Sequence, residues 1–155
     1  MEYSNFKGNF CMSKKNKCAR VLIVDDEEII REIISYAIKE NGFIAEGASN
    51  GEEALKKVAQ ERPDIIILDV AMPQMGGLEV CERLRKNLDT RDIPIIFFSA
   101  QRDIEEIIQY MPGAPIEYIE KPGDIEYLLK QINSLVIDKN PLYSPPGIPP
   151  ETVNP

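Results

Sequence analysis

Five short apolar runs alternate along the chain with stretches in which apolar residues return every three or four positions. The runs cover 19–24, 43–48, 64–69, 93–98 and 116–119. An unbroken aliphatic run such as Ile65-Ile66-Ile67-Leu68 suits a strand buried on both faces, as in a parallel sheet. The run at 43–48 is the weakest. Ile29, Ile30, Ile33, Ile34, Ala37 and Ile38 recur at helical spacing and predict an amphipathic helix, stopped by Asn41-Gly42. Asn50-Gly51-Glu52-Glu53 has the form of an N-cap with a Glu three residues on. The helix it opens turns Ala54, Leu55, Val58 and Ala59 inward and ends at Pro63. Leu78, Val80, Cys81 and Leu84 predict a third helix over 77–87, with Cys81 as a small core residue. A short helical segment follows at 103–110, closed by Pro112-Gly113-Ala114-Pro115. The last helix, over 124–137, carries Ile125, Leu128, Leu129, Ile132 and Val136 on one face. Strands alternating with helices predict an α/β fold: a five-stranded parallel sheet, right-handed crossovers and helices on both faces.

The two ends do not share this patterning. Residues 1–18 are polar, basic and aperiodic, and are expected to form a flexible leader; Met12-Ser13-Lys14-Lys15 resembles a second start. Residues 139–155 are rich in proline and are expected to be an extended tail, either a linker or a docking segment. The domain proper is then 19–138.

Composition narrows the function classes. The 155 residues carry a net charge of −8, which disfavours binding of nucleic-acid backbone by this chain. No apolar run approaches the ~18 residues of a membrane span, and lysines at 7, 14, 15 and 17 interrupt any signal-peptide core. Three cysteines cannot all pair. Cys11 and Cys18 are taken as plain thiols, and a reducing cytoplasm is the expected location. Histidine is absent, so an internal His can be neither catalyst nor metal ligand.

In a parallel sheet all strands present their carboxyl ends at one edge, where such folds place ligands. The residues at those ends are Asp25 and Asp26, Asp69, Ser99 and Lys121. Alone, each is weak: an Asp pair after a strand also suits a helix N-cap, and Ser often simply forms a turn. Together they define a chemistry. Like-charged carboxylates ~4 Å apart repel by about 4 kcal/mol at an effective dielectric of ~20. A hard divalent cation relieves this, and an oxygen-only ligand set selects Mg²⁺ over Zn²⁺. A carboxylate beside such a cation can attack phosphorus and form an aspartyl phosphate. Ser99 and Lys121 offer a hydroxyl and an ammonium to the remaining phosphoryl oxygens. A cis bond at Lys121-Pro122 would fix a tight turn aiming the lysine.

These residues resemble the CheY-like receiver domain of two-component response regulators. The resemblance runs from about Arg20 to Ile137. It is carried by Val24-Asp25-Asp26-Glu27, Leu68-Asp69-Val70-Ala71-Met72-Pro73 with Gly76-Gly77, Phe98-Ser99-Ala100 and Tyr118-Ile119-Glu120-Lys121-Pro122. It implies the flavodoxin-like strand order 2-1-3-4-5. It implies Asp69 as phosphoacceptor, with Mg²⁺ held by Asp26, by Asp25 through water, and by the backbone carbonyl of Ala71. Ser99 and Lys121 would hold the phosphoryl group, and Tyr118 would be the aromatic switch. The implied donor is a phosphohistidine on a sensor histidine kinase or His-phosphotransfer protein. The implied output is a downstream protein partner, or a homodimer, at the face of the fourth helix, fifth strand and fifth helix.

Three departures from the family pattern stand out. The stretch 111–117 is rich in proline and the helix before it is short. Gly123 follows Lys121-Pro122 where a large apolar residue is usual, which predicts a loosened start to the last helix. Ala71, two residues past Asp69, cannot guide or obstruct water. No effector domain follows within the chain, so the output is expected to be a binding event, a phosphoryl relay or something carried beyond it. The domain is expected to be a signalling module and not an enzyme, with at most slow autodephosphorylation. An alternative reading is a phosphorylation-independent adaptor or dimerisation module. A phosphohydrolase is weaker, because no second acid/base carboxylate or cap domain is present.

Overall fold

The computed structural model describes residues 18–139; the leader apart from Cys18 and the tail apart from Lys139, which belongs to the last helix and not to the tail, lie outside the described residues. The element order is β1 (Arg20–Val24), α1 (Glu28–Glu40), β2 (Ile44–Ala48), α2 (Gly51–Gln60), β3 (Ile65–Leu68), α3 (Gly77–Lys86), β4 (Ile95–Ser99), α4 (Glu105–Ile108), β5 (Ile116–Glu120) and α5 (Ile125–Lys139). All strand pairs are parallel, in the order β2-β1-β3-β4-β5. The implied strand order is therefore observed.

The aliphatic runs are buried because the sheet is covered twice. One core joins Leu22, Val24, Ile66, Leu68, Ile95 and Phe97 to α2, α3 and Ile104 beside α4. The other joins Val21, Ile23, Ile65, Ile67, Ile96 and Phe98 to α1 and α5. Alternate residues of each strand feed opposite cores, as the two-residue strand period requires. Cys81 is fully buried, and burial pushes its thiol up from the ordinary range.

Several local expectations change. On α1, Ile34 and Ile38 are buried, but Ile29 and Ile33 are 69% and 50% exposed: the apolar arc is wider than the surface the sheet and α5 cover. Ala59 of α2 also faces solvent. The fourth helix, expected within 103–110, forms only over Glu105–Ile108, and Ile104 just before it is buried in the core. Gly123 does not loosen α5. A Cβ there would meet Phe98 Cε2 at 2.8 Å, so only glycine allows the chain to lie this close. Its N–H donates to Glu120 O at 2.9 Å, and Asp124 Oδ1 accepts from Glu126 N at 2.9 Å. Cys18 is disulfide-bonded and not the plain thiol expected, while the expectation for Cys11 lies outside the described residues. Among the described residues the free cysteine is the buried Cys81.

The α2 N-cap forms as its sequence implies. Asn50 Oδ1 accepts from Glu53 N at 2.8 Å. The Glu53 carboxylate reaches back to Ser49, accepting from its N at 2.9 Å and its Oγ at 2.8 Å. Those two bonds, ahead of the attraction of Lys57, hold Glu53 well below its usual pKa of 4.5, at about 2. A depressed carboxylate stabilises above its unfolded pKa, and the benefit is lost as pH falls through the folded one. Glu53 is 37% exposed, so screening reduces its worth to about 1 kcal/mol. Glu53→Gln is expected to lower the urea midpoint at pH 7, with the gap to wild type closing between pH 4.5 and 2. A gap that persisted at pH 2 would contradict this origin.

Candidate functional site

The sheet ladder runs one residue past three strands, and that extra residue is each time a site residue. Asp25 N donates to Ala48 O at 3.1 Å, Asp69 N to Val24 O at 2.9 Å, and Lys121 N to Ser99 O at 2.9 Å. The backbone therefore fixes where each side chain starts. Asp25, Asp69 and Ser99 are buried and Asp26 is exposed.

The side chains converge. Lys121 Nζ lies 2.6 Å from Asp25 Oδ2 and 3.3 Å from Asp69 Oδ2. It also lies 3.8 Å from Glu27 Oε1 and sits 5.8 Å from the centroid of the Phe98 ring. Asp25, Asp26 and Asp69 each offer a carboxylate oxygen, and these atoms all fall within 4.8 Å of one another. Asp25 Oδ1 accepts from Glu27 N at 2.9 Å, so Asp25 also orders the turn into α1. Ala71 N lies 3.4 Å from Asp69 Oδ1. The bond between Lys121 and Pro122 is cis.

The electrostatics follow from this crowding. Burial, and then the neighbouring charge of Asp25, push the Asp69 carboxyl up; Lys121 and a hydrogen bond from Ser99 oppose them. Burial works against the charged Lys121 amine. The hydrogen bond to Asp25 and the charges of Asp69 and Asp25 outweigh it, so its pKa is raised. One ammonium thus faces three carboxylates, and the site retains an excess of negative charge for a cation to meet.

Ser99 Oγ accepts from Gln101 N at 3.3 Å, which ties the hydroxyl to the loop after β4. Tyr118, on β5, places its hydroxyl 3.0 Å from Gln101 O and 3.4 Å from Ser99 O. Its ring is half-buried against the α2–α3 core, and burial raises its pKa. All seven residues singled out from the sequence lie on this carboxyl edge or on the β5 strand beside it.

Two contributors had no role assigned from sequence. Gly77, the first residue of α3, would place a Cβ 2.1 Å from Asp69 O. The paired glycines hinted at it. Arg31 donates from Nη1 to Asp25 O at 2.7 Å. No spacing rule points to that contact.

An open parallel α/β sheet with an acidic, lysine-bridged site at its carboxyl edge is the form of a receiver domain. The chain belongs to the response regulator receiver domain family, whose model matches residues 21–133. It is 39% identical over 117 residues to response regulator MprA of Mycobacterium leprae, covering 76% of this chain and 50% of that protein. The chain thus spans about half the length of the curated relatives it matches. It is also similar to the chemotaxis response regulator CheY4 of Vibrio cholerae, with TM-score 0.70 and 32% identity, covering 77% of this chain and 99% of the other. The response regulator TrrA of Thermotoga maritima, solved in complex with Mg²⁺ and beryllofluoride, is 36% identical with TM-score 0.68, covering 76% and 98%. Among the described residues no helix is long and apolar enough to cross a membrane.

Proposed function

We propose that this domain accepts a phosphoryl group on Asp69 from a phosphohistidine and thereby switches a protein-binding face. The observation that carries this reading is the bridge of Lys121 between two buried carboxylates, with a third within ligand reach. The three carboxylate oxygens form a hard donor set and fit Mg²⁺. Asp25, Asp26 and Asp69, with the backbone carbonyl of Ala71, would hold it. When bound, the cation neutralises charge on the nucleophile and on the transferred group.

The chain's own residues supply the rest. An Asp69 carboxylate oxygen attacks phosphorus, and the P–N bond of the donor breaks. The electron pair leaves with the imidazole nitrogen, which takes up a proton. The new phosphoryl oxygens are met by the Lys121 ammonium, held by the Asp25 and Asp69 carboxylates, and by the Ser99 hydroxyl, held by Gln101 N, both in place before the donor arrives. Movement of Ser99 toward phosphate drags the Gln101 carbonyl that Tyr118 contacts, so Tyr118 serves as the switch. The face that reports it is α4–β5–α5, where Ile107, Tyr110 and Tyr127 stand exposed. The donor is a sensor histidine kinase or a His-phosphotransfer protein, and the setting is the cytoplasm. A downstream protein or a second copy of the chain takes the output.

The test is intact-mass spectrometry after incubation with acetyl phosphate and Mg²⁺. Wild type is expected to gain one phosphoryl group and Asp69→Ala none. An equal gain by both proteins, or none by wild type, overturns the proposal.

A further inference from the structure

We propose that Arg31 is a positioning residue that sets the direction of the Asp26 carboxylate and so tightens Mg²⁺ binding. This rests on the metal reading of the site given above. Asp25 is pinned on every side: its N donates to Ala48 O, Oδ1 accepts from Glu27 N, and Oδ2 accepts from Lys121. Arg31 takes the remaining group, the Asp25 carbonyl, at 2.7 Å. That carbonyl belongs to the peptide joining Asp25 to Asp26, and the peptide is planar. Holding the oxygen therefore holds the plane from which Asp26 departs. Asp26 needs this help, because its exposed carboxylate has no hydrogen-bond partner among the described residues.

The reach of Arg31 is built in. Its N donates to Glu27 O at 3.1 Å, which fixes its Cα in the first turns of α1. Its stem then runs beside Gly47 of β2, where a Cβ would lie 3.5 Å from Arg31 Cδ and 3.8 Å from Nε. The guanidinium arrives from the side of the β1–β2 ladder, opposite Lys121. Groups that orient metal ligands in this way typically change metal affinity by about 10- to 100-fold when removed.

Charge alone argues for the opposite sign. A cation near the acidic cluster repels Mg²⁺, so removing the guanidinium would tighten binding if positioning were unimportant. Arg31→Met keeps the stem along Gly47 and removes both donor and charge. Arg31→Lys keeps the charge on a shorter reach. Isothermal titration of the full chain with MgCl₂ at fixed ionic strength reads the result. Arg31→Met is expected to weaken Mg²⁺ about 10-fold, with the metal-free melting temperature within a few degrees of wild type. A merely structural role would lower the melting temperature and leave the affinity in place. Unchanged or tighter binding by Arg31→Met, with Asp26→Asn losing Mg²⁺, overturns the role of Arg31 and leaves the metal site standing. If Arg31→Met does not fold, Arg31→Lys decides: weakening of about threefold or more supports the proposal and wild-type affinity overturns it. Absence of Mg²⁺ binding by wild type overturns both readings.

Discussion

Lys121→Met is expected to cost the metal-free protein about 3 kcal/mol at neutral pH, the usual consequence of removing one partner from a buried ion pair. The lysine side chain is 13% exposed, and those of Asp25 and Asp69 are 3% and 6% exposed. Without the ammonium, two buried carboxylates face each other with no cation paired to either carboxylate, and the hydrogen bonds from Glu27 N and Ser99 alone do not offset the repulsion. The loss has a pH signature. In wild type the raised Lys121 pKa means its stabilisation is complete below the ordinary lysine value of 10.5 and fades as pH rises through the higher folded value. In the variant, protonation of Asp69, whose pKa burial and Asp25 already raise, relieves the repulsion as pH falls. The stability gap should therefore narrow from pH 7.5 toward pH 5, and added Mg²⁺ should narrow it at pH 7.5. Urea unfolding across that range checks both trends. Equal stability of the two proteins at pH 7.5 would show that the lysine does not hold the carboxylates together.

Gly77→Ala is expected to be the most damaging single methyl group in the domain, costing about 3 kcal/mol. The added Cβ would lie 2.1 Å from Asp69 O, 2.9 Å from Asp69 C and 3.1 Å from Leu68 Cγ. Two of these are backbone atoms at the phosphoacceptor itself. Neither side can yield cheaply, since Gly77 N donates to Val70 O at 3.0 Å and Asp69 N to Val24 O at 2.9 Å. Relief must come from shifting the Asp69 peptide, so phosphoryl uptake should fall at least about tenfold in whatever fraction stays folded. Gly76→Ala is the control. Its Cβ would lie 3.0 Å from Val70 O, a tight contact a small adjustment can absorb. Thermal melts and phosphorylation rates of the two variants, side by side, test the contrast. Equal behaviour of the two would contradict it.

The sheet was legible because its inner strands β1, β3 and β4 are buried on both faces and read as apolar runs, as Ile65-Ile66-Ile67-Leu68 does, whereas the edge strands β2 and β5 are partly exposed and read more weakly. The site was legible for a related reason. Asp25, Asp69 and Ser99 each end such a run at the carboxyl edge, and Lys121 follows the end of β5, so these residues mark strand ends and site together. What did not show were contacts between elements. The exposure of Ile29 and Ile33 depends on how much of α1 the sheet and α5 reach. The need for glycine at 123 depends on Phe98, a neighbour from another strand. The contact of Arg31 with the Asp25 carbonyl depends on a side-chain path beside β2. Local periodicity carries no information about such distances. The region of α4 lies between these cases: the closing prolines were visible, but the burial of Ile104 just before the helix was not.

The most direct measurement locates the phosphoryl group. After treatment with acetyl phosphate and Mg²⁺, borohydride reduces an aspartyl phosphate to homoserine, and peptide mapping then reads the modified position. Homoserine at position 69, dependent on Mg²⁺ and absent without the phosphodonor, is the expected result. Modification at another carboxylate, or none anywhere, would contradict the assignment of Asp69 as the group that receives phosphorus.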